Sequence, residues 1–311
     1  MITQVRDVVL NAELARIDAL PLWVRVRLGA ADYLSLTKPR IVLLLLITEL
    51  GSMIAAARGW PGTLLTIVAL TGGAFAAGGA AAINCWFDRD IDAVMARTCT
   101  RPVPSGRIAP ANALRFGIGL SAAGFLVLAL ATNMLAATLA LAGGLFYVFV
   151  YTMWLKRSTR QNIVIGGAAG AFPPLVGWAA VTGSLSLPAV ALFAIVFFWT
   201  PPHFWSLALL LRRQYDEVGV PMLPSVATAA DTRRSIVGYS MLLLGVSLVP
   251  GVWFGPIYAV GAASISGVFL WMAWRGLSAP GLRWASRLFH FSLAYLALIF
   301  TLAAAGAVFS T

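Results

Sequence analysis

Apolar runs of about twenty residues recur along the whole chain, the length a helix needs to cross a bilayer. They divide it into nine spans, roughly 40–57, 65–85, 113–131, 134–154, 162–182, 188–211, 236–254, 257–274 and 289–309. Strict alternation of apolar and polar positions, the mark of a membrane barrel, is missing. The pattern predicts an all-α polytopic membrane protein: an N-terminal arm over 1–36 and a nine-helix membrane domain over 37–311. Two spans are interrupted. The fifth carries Gly166, Gly167, Gly170, Pro173, Pro174 and Gly177; the sixth carries Pro201 and Pro202, followed at once by His203. Small residues let helices approach closely and prolines bend them, which suits helices that line a cavity.

Composition sharpens this. Of 311 residues, 60% are hydrophobic and 11% charged, and mean hydropathy is +0.88; a soluble domain of this length has a far more charged surface. A net charge of +11 raises nucleic acid as a partner, but the distribution speaks against it. Alternate connecting segments hold 21 of the 22 basic residues, and only Arg58 lies on the other side. The positive-inside rule then puts the N-terminus in the cytoplasm and the C-terminus outside, as for a multi-pass protein of a bacterial inner membrane. Asp7, Glu13 and Asp18 argue against a mitochondrial transit peptide. The run at 21–28 reads equally as a surface-lying helix or as a solvated arm. Cys85 and Cys99 read as packing residues in a reducing compartment, with no zinc-type spacing.

The candidate chemistry gathers in Asn84–Arg107, between the second and third spans. Three of the chain's eleven carboxylates fall within five residues there, beside four arginines. Asn84, Asp88 and Asp92 are spaced four apart, so a helix puts them on one face, with Asp90 turned away. Arg97, Arg101 and Arg107 follow, and Pro102 and Pro104 forbid a continuing helix. Magnesium takes a few carboxylates plus phosphates and water. Asp88 and Asp92 offer the carboxylates and Asn84 a neutral oxygen, while Arg97, Arg101 and Lys156 offer charge for a diphosphate. Metal and cations together draw charge from an allylic diphosphate as it ionises, inside an apolar bundle that excludes water.

Other positions carry weaker signals. Phe146, Tyr147, Phe149, Tyr151 and Trp154 read either as an interfacial belt or as a wall around a carbocation. His203, about 12 Å deep by helical rise, needs a cavity or a partner. Glu49 is an acid inside the first span. Segment 212–224 again combines arginine and acid, with Arg212, Asp216 and Glu217; His290 reads as interfacial.

The stripe at 84–92, its continuation to Arg107, and the runs 33–42, 151–167, T-P-P-H-F-W at 200–205 and G-V-P-M-L-P at 219–224 resemble the UbiA-type membrane prenyltransferases, in the branch that farnesylates haem. The resemblance implies nine helices around a central cavity. It also implies farnesyl transfer from farnesyl diphosphate to a vinyl group of haem b with Mg2+, in contact with membrane lipid, and haem A synthase or terminal oxidase assembly downstream. By position it implies Asn84, Asp88 and Asp92 as metal and catalytic residues. Arg97, Arg101, Arg107, Tyr151, Lys156, His203, Arg212 and Asp216 would bind substrate, with His203 toward the haem. One departure stands out: Gln214 precedes Tyr215 where the family carries an acid. A relative acting on a quinone precursor or chlorophyllide, and a non-catalytic haem or lipid transporter, are the competing readings.

Overall fold

The structure, a computed structural model, describes residues 21–279 and 281–310. Arg6, Asp7, Glu13, Arg16 and Asp18, which enter the charge argument above, lie outside that range. The chain is helical throughout the described residues. A first helix, α1 (Leu22–Leu36), is followed by α2 (Pro39–Ala57), α3 (Thr63–Phe87), the short α4 (Arg89–Val94), α5 (Pro110–Ala131) and α6 (Met134–Ser158). Then come α7 (Asn162–Thr182), α8 (Leu187–Leu210), the short α9 (Arg212–Glu217) and α10 (Leu223–Val226), α11 (Ala229–Leu248), α12 (Gly251–Arg275) and α13 (Arg283–Phe309).

Nine of these are long, and eight of the nine are long and apolar enough to span a membrane. The ninth, α11, differs because Asp231, Arg233 and Arg234 occupy its first turns; its apolar part follows them, where the sequence pattern begins the seventh span. The boundary between the seventh and eighth spans of the pattern, at 255–256, is physical as well. Gly255 has φ 74° inside α12, next to Pro256, so the helical run resets there.

The ends are fixed locally. Pro39 and Pro110 sit in the first turns of α2 and α5, where a missing N–H costs nothing. The Asn133 side chain accepts from the N–H of Ala136 at 2.9 Å, and Thr228 accepts from Asp231 at 3.1 Å. Leu22, Trp23, Val26 and Leu34 on α1 are exposed, which fits a helix lying on lipid better than an arm in water. That helix is held to the bundle by the Tyr33 ring edge-on to Phe116 and by the Asp32 carboxylate.

Helix α2 runs through the middle, against α7 on one side and α13 on the other. Ser52 donates to the carbonyl of Pro174 at 2.6 Å, a polar link between α2 and the bent α7. A close approach also joins α3 and α5. A Cβ on Gly117 would lie 2.7 Å from the Ile83 side chain and 2.9 Å from the Gly79 carbonyl, so the two backbones touch where neither carries a side chain. Lipid tails are as apolar as leucine, so this fit, rather than water exclusion, holds the pair together.

Gly117→Val should therefore lower thermal stability in detergent, by about 1–3 kcal/mol as an overpacked contact. Gly119→Val, on the same helix with open space around it, is the control and should leave the unfolding temperature within a degree or two.

Candidate active site at one end of the bundle

Helix α3 ends at Phe87, Asp88 departs from helical geometry, and α4 restarts at Arg89. The hydrogen-bond ladder nonetheless carries through the joint. The N–H of Asp88 donates to Asn84 at 2.9 Å, and that of Asp92 to Asp88 at 2.8 Å. Asn84, Asp88 and Asp92 so remain on one face, at 3%, 1% and 3% exposure. Asp90 points away and forks with Arg157 at 2.6 and 2.7 Å. That hydrogen bond holds the Asp90 carboxyl down at about 2.

Buried carboxylates at a membrane edge need partners, and three segments of the chain deliver four cations to them. Lys156 pairs with Asp88, which also accepts from the Asn84 amide at 2.8 Å. Arg157 reaches Asp88 at 3.5 Å. Arg101, on the proline-broken loop, pairs with Asp92 at 2.6 Å. Lys38 donates to the Asn84 side-chain oxygen at 2.5 Å and to the Tyr147 hydroxyl at 3.4 Å. Lys38 holds that position with φ 53°, a left-handed backbone unusual for a residue with a side chain and doubly so before proline. Four cations against three carboxylates leave the cluster net positive.

The middle of α6, Phe146–Leu155, is a π-helix. Its i→i+5 bonding brings residues four or five apart onto one face. Tyr147, Tyr151 or Thr152, and Lys156 line up on this spacing. Tyr147 and Tyr151 stack at 5.7 Å, Thr152 accepts from the Asn84 amide at 3.0 Å, and Lys156 closes on Asp88. The aromatic segment thus divides: Tyr147 and Tyr151 turn to the cluster, while Phe149 and Trp154 are exposed on the outer face.

Across the cluster stands α9. Tyr215 is buried beside Arg97, Arg101 and Asp92, and burial pushes its phenol up. Arg97 itself is exposed. Asp216 pairs along its own helix with Arg212 at 3.7 Å, and Glu217 with Arg213 at 3.0 Å; all four are largely exposed. The Gln214 side-chain oxygen is buried without a hydrogen-bond partner. Arg107 forks onto Asp32 at 3.0–3.1 Å and donates to the carbonyl of Thr100, so it ties the loop to α1.

His203 lies within α8, its ring between Trp199 at 4.1 Å and Phe289 at 5.0 Å. Its Nδ1 meets the Ser292 hydroxyl at 2.5 Å. Ser292 also donates to the carbonyl of Phe289 at 2.6 Å; with its proton placed there, the histidine is the donor and its Nε2 keeps the lone pair. Lys38, Thr152 and Arg157 are site members that residue spacing does not single out: Lys38 and Arg157 fall among the alternating basic segments, and Lys38 lies in the run 33–42.

An all-oxygen donor set of two buried carboxylates and an amide suits a hard divalent cation. Among the described residues no three His, Cys, Asp or Glu side chains gather to hold a metal by themselves. Such an ion would need oxygens from a ligand as well, which is how magnesium binds with phosphates.

Comparison with known proteins bears on this geometry. Residues 45–298 match the family model described as the UbiA prenyltransferase family. A protein named protoheme IX farnesyltransferase from Acidiphilium cryptum is 50% identical, over 87% of this chain and 89% of its own length. One of the same name from Symbiobacterium thermophilum is 53% identical, over 86% and 91%. Against a Chloroflexus aurantiacus relative of that name, 51% identical, the chain spans about half the length, 49%. A solved digeranylgeranylglyceryl phosphate synthase shares the fold at TM-score 0.74 and 21% identity, over 90% of this chain and 99% of that one. A UbiA homologue from Archaeoglobus fulgidus, bound to GPP and Mg2+, does so at TM-score 0.66 and 16% identity, over 88% and 99%.

Removing one partner of the buried pair tests the cluster without any substrate. Lys156→Met should destabilise the protein by about 3 kcal/mol, because it strands a buried carboxylate. Millimolar Mg2+ should recover more of the unfolding temperature in this variant than it adds to the parent, since a cation then replaces the lost ammonium.

Proposed function

The chain belongs to the UbiA prenyltransferase family, and from there we propose that it farnesylates haem. It transfers the farnesyl group of farnesyl diphosphate to a vinyl group of haem b and adds water, releasing diphosphate and leaving haem O. One observation carries this reading: a face of buried Asn84, Asp88 and Asp92 surrounded by Lys38, Arg101, Lys156 and Arg157. Identity of about half to relatives named for the activity supports it along most of the chain.

Asn84, Asp88 and Asp92 would hold the divalent ion, proposed as Mg2+, and that ion when bound supplies positive charge to the departing diphosphate. The cations that now neutralise the carboxylates are within reach of the diphosphate oxygens, with Arg97 at the exposed rim. Arginine forks suit those oxygens, and lysines serve as point charges. Breaking the C1–O bond leaves an allylic cation, and the stacked Tyr147 and Tyr151 offer ring faces to it. The haem vinyl group attacks C1 and forms the new carbon–carbon bond. The positive charge passes to the other vinyl carbon, next to the porphyrin, where water adds and loses a proton. The apolar bundle keeps bulk water from the first cation. Arg107 fastens the loop that carries Arg101 to α1, while Arg212 and Asp216 pair with each other along α9.

His203 is our candidate for the haem side. A donor Nδ1 and a free Nε2 are what an imidazole needs to ligate iron, with Ser292 fixing ring and tautomer. The basic segments argue for a cytoplasmic site in a bacterial inner membrane, where a soluble diphosphate is at hand. The haem O formed would pass to haem A synthase or terminal oxidase assembly.

Purified protein with farnesyl diphosphate, haem b and Mg2+ should yield haem heavier by farnesyl plus water. Asp88→Ala or removal of metal should reduce the rate at least about 100-fold. A prenylated phenol instead of haem would sink the acceptor assignment. Ser292→Ala should weaken haem binding and alter the haem absorption spectrum of the substrate complex, and His203→Ala should do so more strongly; identical spectra in all three proteins would remove His203 from the iron.

A further inference from the structure

Glu49 lies in the interior of α2, about 15 Å from the helix start by helical rise. It is 2% exposed, and one carboxyl oxygen is buried with no hydrogen-bond partner. An unpartnered acid inside a membrane bundle is costly and needs a reason. None of the steps above uses it.

Two neighbouring helices connect it to the cation cluster. On α3, a Cβ placed on Gly73 would run into the Glu49 carboxyl. Gly73 and Asn84 are eleven residues apart, three turns, so they share one face. The carboxyl therefore lies under the face that carries Asn84 and Asp88, about 16 Å along the axis from Asn84 and about 22 Å from Asp88. On α7, Gly166, Gly170 and Gly177 share a face by the same spacing. A Cβ on Gly166 would strike the Tyr151 ring, and one on Gly177 would strike the backbone oxygen of Glu49; one on Gly170, between them, meets nothing within 4 Å. Open space lies midway between the cluster and the acid, walled by glycine.

We propose that Glu49 is the floor of the groove that takes the prenyl chain of the diphosphate substrate, and so sets its length. This rests on the function proposed above. A farnesyl chain extends about 14 Å by ordinary bond lengths, close to the distance from Asn84, the inner end of the stripe, to the acid. A fourth five-carbon unit adds about 5 Å and would have to push an apolar end past a carboxyl. A carboxyl stops a chain better than an alkyl side chain of equal size, because an apolar tail cannot replace the contacts a polar group loses.

Binding of unreactive thiolodiphosphate analogues reads this without haem. With Mg2+, affinities for the geranyl, farnesyl and geranylgeranyl forms are measured on the purified parent and its variants. The parent should favour farnesyl over geranylgeranyl. Glu49→Ala should raise geranylgeranyl relative to farnesyl by about tenfold or more, while Glu49→Gln, equal in size and still polar, should keep the parental order. Gly73→Ala, which presses on the carboxyl from the other helix, should shift preference toward geranyl and covers the case of a misfolded Glu49→Ala. A farnesyl to geranylgeranyl ratio unchanged in a folded Glu49→Ala, or unchanged preference in Gly73→Ala, overturns the floor. If the parent binds none of the three, the prenyl diphosphate reading itself falls and the floor with it.

Discussion

The burial of Asp88 constrains everything at this end of the bundle. A carboxylate 1% exposed at the end of a membrane helix is tolerable only when its charge is met. Lys156, Arg157 and the Asn84 amide meet it, and each comes with a structural demand. Lys156 and Arg157 must arrive from the end of α6, which joins the third and sixth helical elements at one point. The Asn84 amide donates to Asp88 and Thr152, so its oxygen is left for Lys38.

The unusual backbone of the molecule follows from these demands. A regular α-helix over 146–155 would rotate successive side chains away from a common face; the wider π turn keeps Tyr147, Thr152 and Lys156 together. Lys38 adopts a left-handed conformation before a proline, a strained choice that its bond to Asn84 offsets. The loop carrying Arg101 is broken by Pro102 and Pro104 and then fastened by Arg107 to Asp32, so Arg101 is held against Asp92 from both sides.

The length of the apolar runs made the nine long helices of the described residues legible, and residue spacing the shared face of Asn84, Asp88 and Asp92 and the outward turn of Asp90. These depend on spacing alone, and spacing survives folding. What stayed hidden depends on tertiary geometry. Nothing in the aromatic run at 146–155 distinguishes π from α winding. Lys38 and Arg157 looked like topogenic charge because a lysine near a membrane edge carries no mark of its partner. The pairing of Asp216 with Arg212, and of Glu217 with Arg213, is a local helical matter that took both acids out to the surface, whereas the neighbouring Tyr215 turned inward. The tautomer of His203 needed Ser292, about ninety positions away in the chain.

The self-neutralised cluster has a consequence for the order of events. A bare divalent ion arriving at this site meets a net positive neighbourhood and carboxylates already engaged by lysine and arginine. An anion arriving alone finds those cations already spoken for by aspartate. Only when both come does every partner change hands at once, cations to phosphate and carboxylates to metal. On the function proposed above, the two ligands would be thermodynamically linked, each raising the other's affinity, so that the diphosphate would be held hardest when the ion is present.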